Sequence, residues 1–331
     1  MLGTADRALG ALWAFHVEDA RARAVPDKEQ HTCLGPEQGW AWLHFPLSDA
    51  RARAFLSRRA QLPEDARELI LSGERRVQIH AHGDWIYGVL PDWEIEFSGA
   101  GRGVAINPGR LYFALHERQV FTIRRHALQC IDDLRRGFER GDCAESPADM
   151  FGQFIDRFID RSDARLIELT NDLDIIEDKM LSGQADPARL KIGPIRRELS
   201  RIHREFLGLR GALGRAVKPA SASNPLFANF PAYIQAIEEA DHEAADGADR
   251  ARLLYEEVGA LLDSAANKSL RVLTILSTMM MPPTLIVGAF GMNLPGMPFS
   301  GDPWGFAWAC GLCGIVVLIA YAALKKSGAL R

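Results

Sequence analysis

Cysteine is scarce in these 331 residues: there are five, an odd number with no framework spacing. That excludes a disulfide-stapled scaffold and fits a reducing compartment for most of the chain. A positive excess is missing too. Lys and Arg number 39 against 43 Asp and Glu, for a net charge of −4, so nothing points to nucleic acid as a partner. No nucleophile triad, phosphate loop or zinc-metalloenzyme motif occurs, so the chain does not read as an enzyme and implies no cofactor. Gly99-x-Gly101-x-Gly103 lies between strand-like segments with no helix after it, and reads as a turn. A secretory leader is not visible either. Residues 9–17 are apolar, but they are too few and lack a basic start and a cleavage site, so they read as a first β-strand.

What the chain does have is apolar length at its far end. Residues 272–293, VLTILSTMMMPPTLIVGAFGMN, contain no Lys, Arg, Asp or Glu. At about 1.5 Å per residue such a run spans roughly 30 Å, the hydrocarbon thickness of a bilayer. A second uncharged run, 304–324, WGFAWACGLCGIVVLIAYAAL, follows at once. Two spans joined by a short loop make a hairpin in membrane lipid. Lys268 and Arg271 precede it, and Lys325, Lys326 and Arg331 follow it, whereas the loop 291–303 carries one acid, Asp302, and no base. The basic flanks predict both termini in the cytoplasm and the loop outside, with Trp304 and Phe306 at the outer interface. Cys310-x-x-Cys313 puts two thiols on one face of the second span, a conceivable metal site or ordinary packing by small residues.

Before the hairpin the pattern is mixed. Residues 11–17, 39–45, 76–81, 85–90, 93–97 and 103–107 read as strands, and 110–115 with 119–124 as a β-hairpin across His116-Glu117-Arg118. Helices are predicted over 50–60, capped by Ser48-Asp49, and over 65–71 and 127–139. His80-x-His82 would place two imidazoles on one side of a strand, either as half a metal site or as a polar face. From Ser146 to 181 and from 188 to 217 two amphipathic helices form a charged αα-hairpin. The first carries Asp156, Asp160, Asp163, Asp172, Asp174 and Asp178, read as a solvated face or as a regulatory cation-binding surface between subunits. Residues 218–230 form a loop. From 231 a helix, weakened locally by Gly247, is expected to run into the first span. Such a helix is about 60 residues, roughly 90 Å, and much of it must be a stalk outside the bilayer.

One stripe runs along that helix: Glu256, Ala260, Asp263, Asn267, Leu270, Thr274, Ser277, Met281, Thr284 and Gly288. It is acidic at the stalk end and small or weakly polar within the membrane, interrupted by Leu270 and Met281. Leu276, Met279, Leu285 and Ile286 form the opposite face, suited to lipid or to the second span. One helix cannot enclose a polar path, so several copies must line it together. Ordinary helix contact also uses Ser, Thr, Ala and Gly, but it leaves the acidic continuation unexplained. Pro282-Pro283 disrupts the hydrogen-bond ladder beside Met281, a candidate hydrophobic gate.

Phe290-Gly291-Met292-Asn293 after a Pro-containing span, followed by a second span and a short basic tail, resembles the CorA family of divalent-cation transporters. The loop Leu294-Pro295-Gly296-Met297-Pro298, Trp42-Leu43-His44-Phe45 and Leu62-Pro63 are similar to the zinc-transporting ZntB branch. The resemblance extends over nearly the whole chain. It implies an α+β membrane protein: a cytoplasmic α/β domain (1–145), a helical hairpin (146–230), a stalk (231–271), two transmembrane helices (272–290 and 304–324) flanking an external loop (291–303), and a tail (325–331). It further implies a funnel-shaped homopentamer in a bacterial inner membrane, with Gly291, Met292 and Asn293 at the mouth and Asn293 holding the cation through its water shell. Asn293 read alone is equally a helix cap. Magnesium-type relatives usually carry an acid soon after Gly-Met-Asn, and here none occurs before Asp302. That argues against Mg²⁺ more than it argues for zinc. Zn²⁺ as the cargo is what the resemblance to the ZntB branch implies, with Co²⁺, Ni²⁺ and Cd²⁺ also admissible. A magnesium or cobalt channel is the rival, and a membrane-anchored scaffold the rival of another class.

Overall fold

Strand Trp40–Pro46 is buried at nearly every position, on both faces, as a strand covered by a layer on each side must be. It is β3 of a seven-stranded sheet whose other members are β1 (Trp13–Glu18), β2 (Arg21–Ala24), β4 (Gln78–His82), β5 (Trp85–Trp93), β6 (Pro108–His116) and β7 (Gln119–Arg124). The strand order is β2-β1-β3-β7-β6-β5-β4. β3 and β7 run parallel and the other neighbours antiparallel. The computed structural model describes residues 9–58, 60–95, 107–182, 185–217, 225–292 and 303–326. The turn at Gly99-x-Gly101-x-Gly103 and most of the strand expected at 103–107 lie outside these. The strand expected at 85–90 runs on through Pro91 to Trp93 as β5. Of the strand expected at 93–97, Trp93 ends β5, Glu94 makes an isolated bridge to Leu128, and 96–97 lie outside the described residues. β2 escaped the sequence reading because its RARA has no apolar alternation.

The helices are α1 (Ala50–Arg58), α2 (Glu64–Ser72), α3 (Gln129–Arg140), α4 (Pro147–Leu181), α5 (Ala185–Ala216), α6 (Phe230–Gly291) and α7 (Gly305–Lys326). Period-two alternation sorts the strand side chains between two cores. Ala41, Leu43, Phe45, Phe121 and Ile123 pack with Phe55 and Leu56 of α1 and Ile70 of α2. On the opposite face, Trp42 meets Phe138 of α3 at 5.0 Å between ring centroids, and Phe113 meets Phe151 of α4 at 5.5 Å. Trp93 stacks on Phe158 of α4 at 5.3 Å, and its indole N–H donates to Ser162 Oγ at 3.2 Å.

α3 has no capping side chain of its own. Asp92, buried in β5, takes that place: its carboxylate accepts from the amides of Cys130 at 2.9 Å and Ile131 at 3.1 Å, and from Trp93 at 2.6 Å. Burial pushes its carboxyl up to about 6, against the opposing pull of these amides.

α4, α5 and the first part of α6 are tied by charge as well as by apolar contact. Arg165 grips Glu198 with two bonds at 2.8 and 3.0 Å. His203 Nδ1 lies 2.6 Å from Asp241 Oδ1, and Arg250 reaches Asp174 and Glu177, each at 2.6 Å. Gly247 does not break α6. A Cβ there would stand 3.2 Å from Leu199 of α5, so the glycine lets the two helices approach. By contact density the chain divides into two units, one of residues 1–181 with 190–254, the other of 182–189 with 255–331.

Candidate functional site

α6 is 62 residues long and carries two prolines, Pro282 and Pro283, without ending there. Its first part buries Phe230, Ile237, Ala240, Ala244, Ala251 and Leu254, a helical stripe. Beyond Val258 no described residue of α6 or α7 is buried. Both helices contain a window long and apolar enough to cross a membrane, and neither window has any buried share.

Every residue of the sequence-derived stripe is exposed: Glu256, Ala260, Asp263, Asn267, Leu270, Thr274, Ser277, Met281, Thr284 and Gly288. A concave groove of about 840 Å³ runs along α6, and Ser277, Met281, Thr284 and Gly288 line it together with Met292. The structure thus places Ser277, Met281, Thr284 and Gly288 on one surface; Thr274 is not among the residues that line it. Leu285, assigned from the sequence to the opposite face, lines the same groove. The reason is geometric. Leu285 follows Met281 by four residues, about 40° around a helix of 3.6 residues per turn, so the two share a face. Met279 and Ile286 of the expected opposite face are half-buried, as are Ile275, Pro282 and Pro283.

α7 answers with its own half-buried line, Ala309, Cys313, Val316, Val317 and Ala320. Cys313 Sγ lies 4.0 Å from the Pro283 carbonyl, an oxygen beside the interrupted ladder. Cys310 is exposed.

The groove's chemistry is mild. Thr274 Oγ donates to the Leu270 carbonyl at 2.8 Å, and Thr284 Oγ to that of Met280 at 2.7 Å. These donors are satisfied within the helix, so hydroxyl exposure alone does not choose between lipid and pore. What remains for a passing cation is hydroxyl lone pairs and thioether sulfur, weak acceptors in a surface that is otherwise apolar. Gly291 and Met292 end α6, both exposed, with the Met292 amide donating to Ala289 O at 3.2 Å. Asn293, the loop Leu294 to Pro298, Asp302 and Arg331 lie outside the described residues.

Among the described residues, no group of three or more His, Cys, Asp or Glu is placed to hold a metal ion. His82 Nδ1 stands 3.5 Å from Asp65, and His80 Nε2 3.1 Å from Gln78 Oε1. On the acidic face of α4, Asp174 is taken by Arg250. Asp163 is pushed up to about 6 by burial and then by the charges of Glu243 and Asp160.

A sheet-and-helix unit whose last helix continues as one of two apolar, membrane-length helices defines a membrane protein with a large extramembranous part. Residues 37–326 match the family model described as CorA-like Mg2+ transporter protein. The chain belongs to that family and is a divalent-cation transporter. It is 24% identical over 282 residues to the zinc transport protein ZntB of Yersinia enterocolitica, with 84% of each chain covered. It superposes on the structure of the full-length CmaX protein with a TM-score of 0.76 at 20% identity, over 96% of this chain and 98% of that one. The complete structure of the CorA magnesium transporter from Methanocaldococcus jannaschii gives 0.74 at 16% identity, over 95% and 97%. At such identities the structural likeness is one of fold.

Proposed function

We propose that this protein is a homopentameric pore for divalent cations in a bacterial inner membrane, with Zn²⁺ as its cargo. Five copies of α6 surround the axis, so that each residue of the stripe becomes a ring. Glu256, Asp263 and Asn267 form a cytoplasmic vestibule. Thr274, Ser277, Thr284 and Gly288 line the membrane path, and Leu270 and Met281 close it by excluding water. Gly291, Met292 and Asn293 form the outer mouth, where the amide oxygens of Asn293 hold the hydrated ion. The amino and carboxyl termini lie in the cytoplasm.

The observation that carries this reading is the exposed stripe. Ten residues at alternating spacings of four and three form the seam by which parallel helices supercoil about one another. In one chain every residue of that seam is exposed, and the groove along its membrane part is open. A cation crossing lipid needs a closed polar path, which only several copies supply.

Zinc as cargo is supported by the name of the Yersinia relative and by a mouth loop without an acid before Asp302. Mg²⁺ holds its waters tenaciously and is recruited by carboxylates. Zn²⁺ sheds water more readily. The deciding experiment is flux in proteoliposomes holding only this protein, with Zn²⁺, Mg²⁺, Co²⁺ and Ni²⁺ compared with and without a pH gradient. Faster Zn²⁺ than Mg²⁺ flux at equal concentration is expected. Mg²⁺ at least as fast as Zn²⁺ overturns the cargo, and no metal flux overturns the pore in favour of a scaffold.

A further inference from the structure

β3 and β7 are the parallel pair of the sheet, in register at their carboxyl ends, where Pro46 pairs with Arg124. The pairing extends one residue further, the Leu47 amide donating to the Arg124 carbonyl at 2.7 Å. Beyond that point the chain diverges. From β3 it passes to α1, whose Phe55 and Leu56 pack with Leu43 and Phe45. From β7 it passes to α3, whose Phe138 packs on Trp42 from the other face. Two adjacent parallel strands leaving for opposite faces must open a crevice between their exits, the place where open α/β sheets bind ligands.

The crevice is present, a cavity of about 330 Å³ lined by Leu47, Ser48, Arg53, Leu71, Arg125 and His126. No carboxylate is among these residues. Arg53 comes from α1 and Arg125 from the residue after β7, so two guanidinium groups 72 positions apart in sequence are brought to one hollow by the topology. Among the described residues, neither guanidinium is held by a hydrogen bond or ion pair. The nearby acid, Asp49, is already committed to Arg51 at 2.8 Å and to the Arg51 amide at 2.7 Å.

Arg125 is nevertheless held in place. Gly73 ends α2 in the left-handed region at φ 74°, and the Arg125 guanidinium occupies the space where a Cβ on that residue would stand. The glycine therefore serves two ends, the turn of the helix terminus and a seat for the arginine. A seated guanidinium loses less freedom when it binds.

The geometry points to this crevice as a binding site for a phosphate monoester, with Arg53 and Arg125 clasping the phosphate, Ser48 donating its hydroxyl, and Leu47 and Leu71 walling the organic part. Planar guanidinium forks match the oxygens of a phosphate two at a time. The hollow is at the small end of ligand pockets, large enough for a phosphate with a small organic group. The site lies in the sheet-bearing unit, so it stands or falls independently of the pore.

The test uses the full chain in detergent micelles, with binding followed as the rise in melting temperature. The probes are inorganic phosphate, AMP and dihexanoyl phosphatidic acid, each against sodium chloride at matched ionic strength. A phosphate probe is expected to raise the melting temperature beyond chloride, because a ligand that binds only the folded state stabilises it. Tighter AMP than phosphatidic acid assigns the phosphate to a soluble ligand, and the reverse assigns it to a lipid headgroup. Arg53→Ala and Arg125→Ala should each weaken binding about tenfold or more, the worth of a lost charge-assisted bond. Arg53 is exposed, so its variant should keep the unliganded melting temperature. Arg125→Lys should retain part of the affinity, since the charge stays and the fork is lost. Equal shifts with phosphate probes and chloride, or unchanged binding in the Arg53→Ala/Arg125→Ala double variant, would overturn the site.

Discussion

α6 belongs to two regions of this molecule, and it behaves differently in each. Up to Leu254 it buries an apolar stripe against α4 and α5 and is pinned by Asp241 to His203 and by Arg250 to Asp174 and Glu177. Beyond Val258 the same helix, without a break, has no fully buried residue among those described. Met281 is 76% exposed and Leu285 75%, while Phe158 and Phe206 in the first region are fully buried. The first region finds its hydrophobic partners within its own chain. The second exposes contiguous apolar surface far beyond what a water-soluble monomer tolerates, and in the proposed pore lipid and further copies cover it. The difference teaches where substitutions will register: in stability for the first region, in flux and assembly for the second.

The sharpest break between the two is expected at Asn293. Asn293→Ala should remove cation flux in proteoliposomes while the oligomer and its melting temperature stay as in the wild type. Near-normal flux would take the mouth site out of the proposed pore. A paired substitution comes next. Phe158→Ala opens a cavity against Trp93 and should cost about 3–5 kcal/mol of stability. Leu285→Ala, at an exposed membrane position, should change the unfolding of the sheet-bearing unit by less than about 0.5 kcal/mol. Equal losses in denaturant melts would mean that the two regions do not unfold separately.

Met281→Ser should wet the hydrophobic closure and raise basal flux severalfold with assembly unchanged, and Leu270→Ser should act in the same direction. If neither variant leaks, the closure lies elsewhere on α6. The smallest effect concerns Asp163. Its carboxyl titrates near 6 when folded, above the usual 3.8. The charged form therefore weakens the fold above pH 6, and stability recovers as the pH falls through that value and the proton binds. Asp163→Asn should raise the melting temperature slightly at neutral pH, and the gain should fade towards pH 4. A gain that persists at all pH values would assign the effect to packing instead of charge.

Much of the second region was legible as sequence because its environment is uniform. A bilayer demands apolar length and forbids open backbone, so two uncharged runs declare themselves without any knowledge of their neighbours. The stripe is written in the sequence as a heptad repeat along one helix, and the structure brings Ser277, Met281, Thr284 and Gly288 of it to one groove. Even so, the expected opposite face includes Leu285, which stands four residues from Met281 and so lines the same groove. The sequence marks Thr274 and Thr284 as weakly polar positions of the stripe, and only the structure shows both hydroxyls returned to carbonyls of their own helix.

In the first region the strands of the β6–β7 hairpin and the long helices α4 and α5 followed from local periodicity. β2 did not, since its RARA carries no apolar alternation, nor did the continuity of β5, since it rests on pairing with β6 through Pro91 and Asp92. The chain's composition and periodicity by themselves determined that it spans a membrane twice, that a mixed sheet precedes two long helices, and that one face of the last long helix differs from the rest. Only the tertiary structure decided that Asp92 caps a helix 37 residues away, that Gly247 admits Leu199, and that Arg53 and Arg125 share a crevice. Each of these depends on which elements the fold brings side by side. Strand order is set by the competition of whole faces for burial, and no short stretch of sequence carries it.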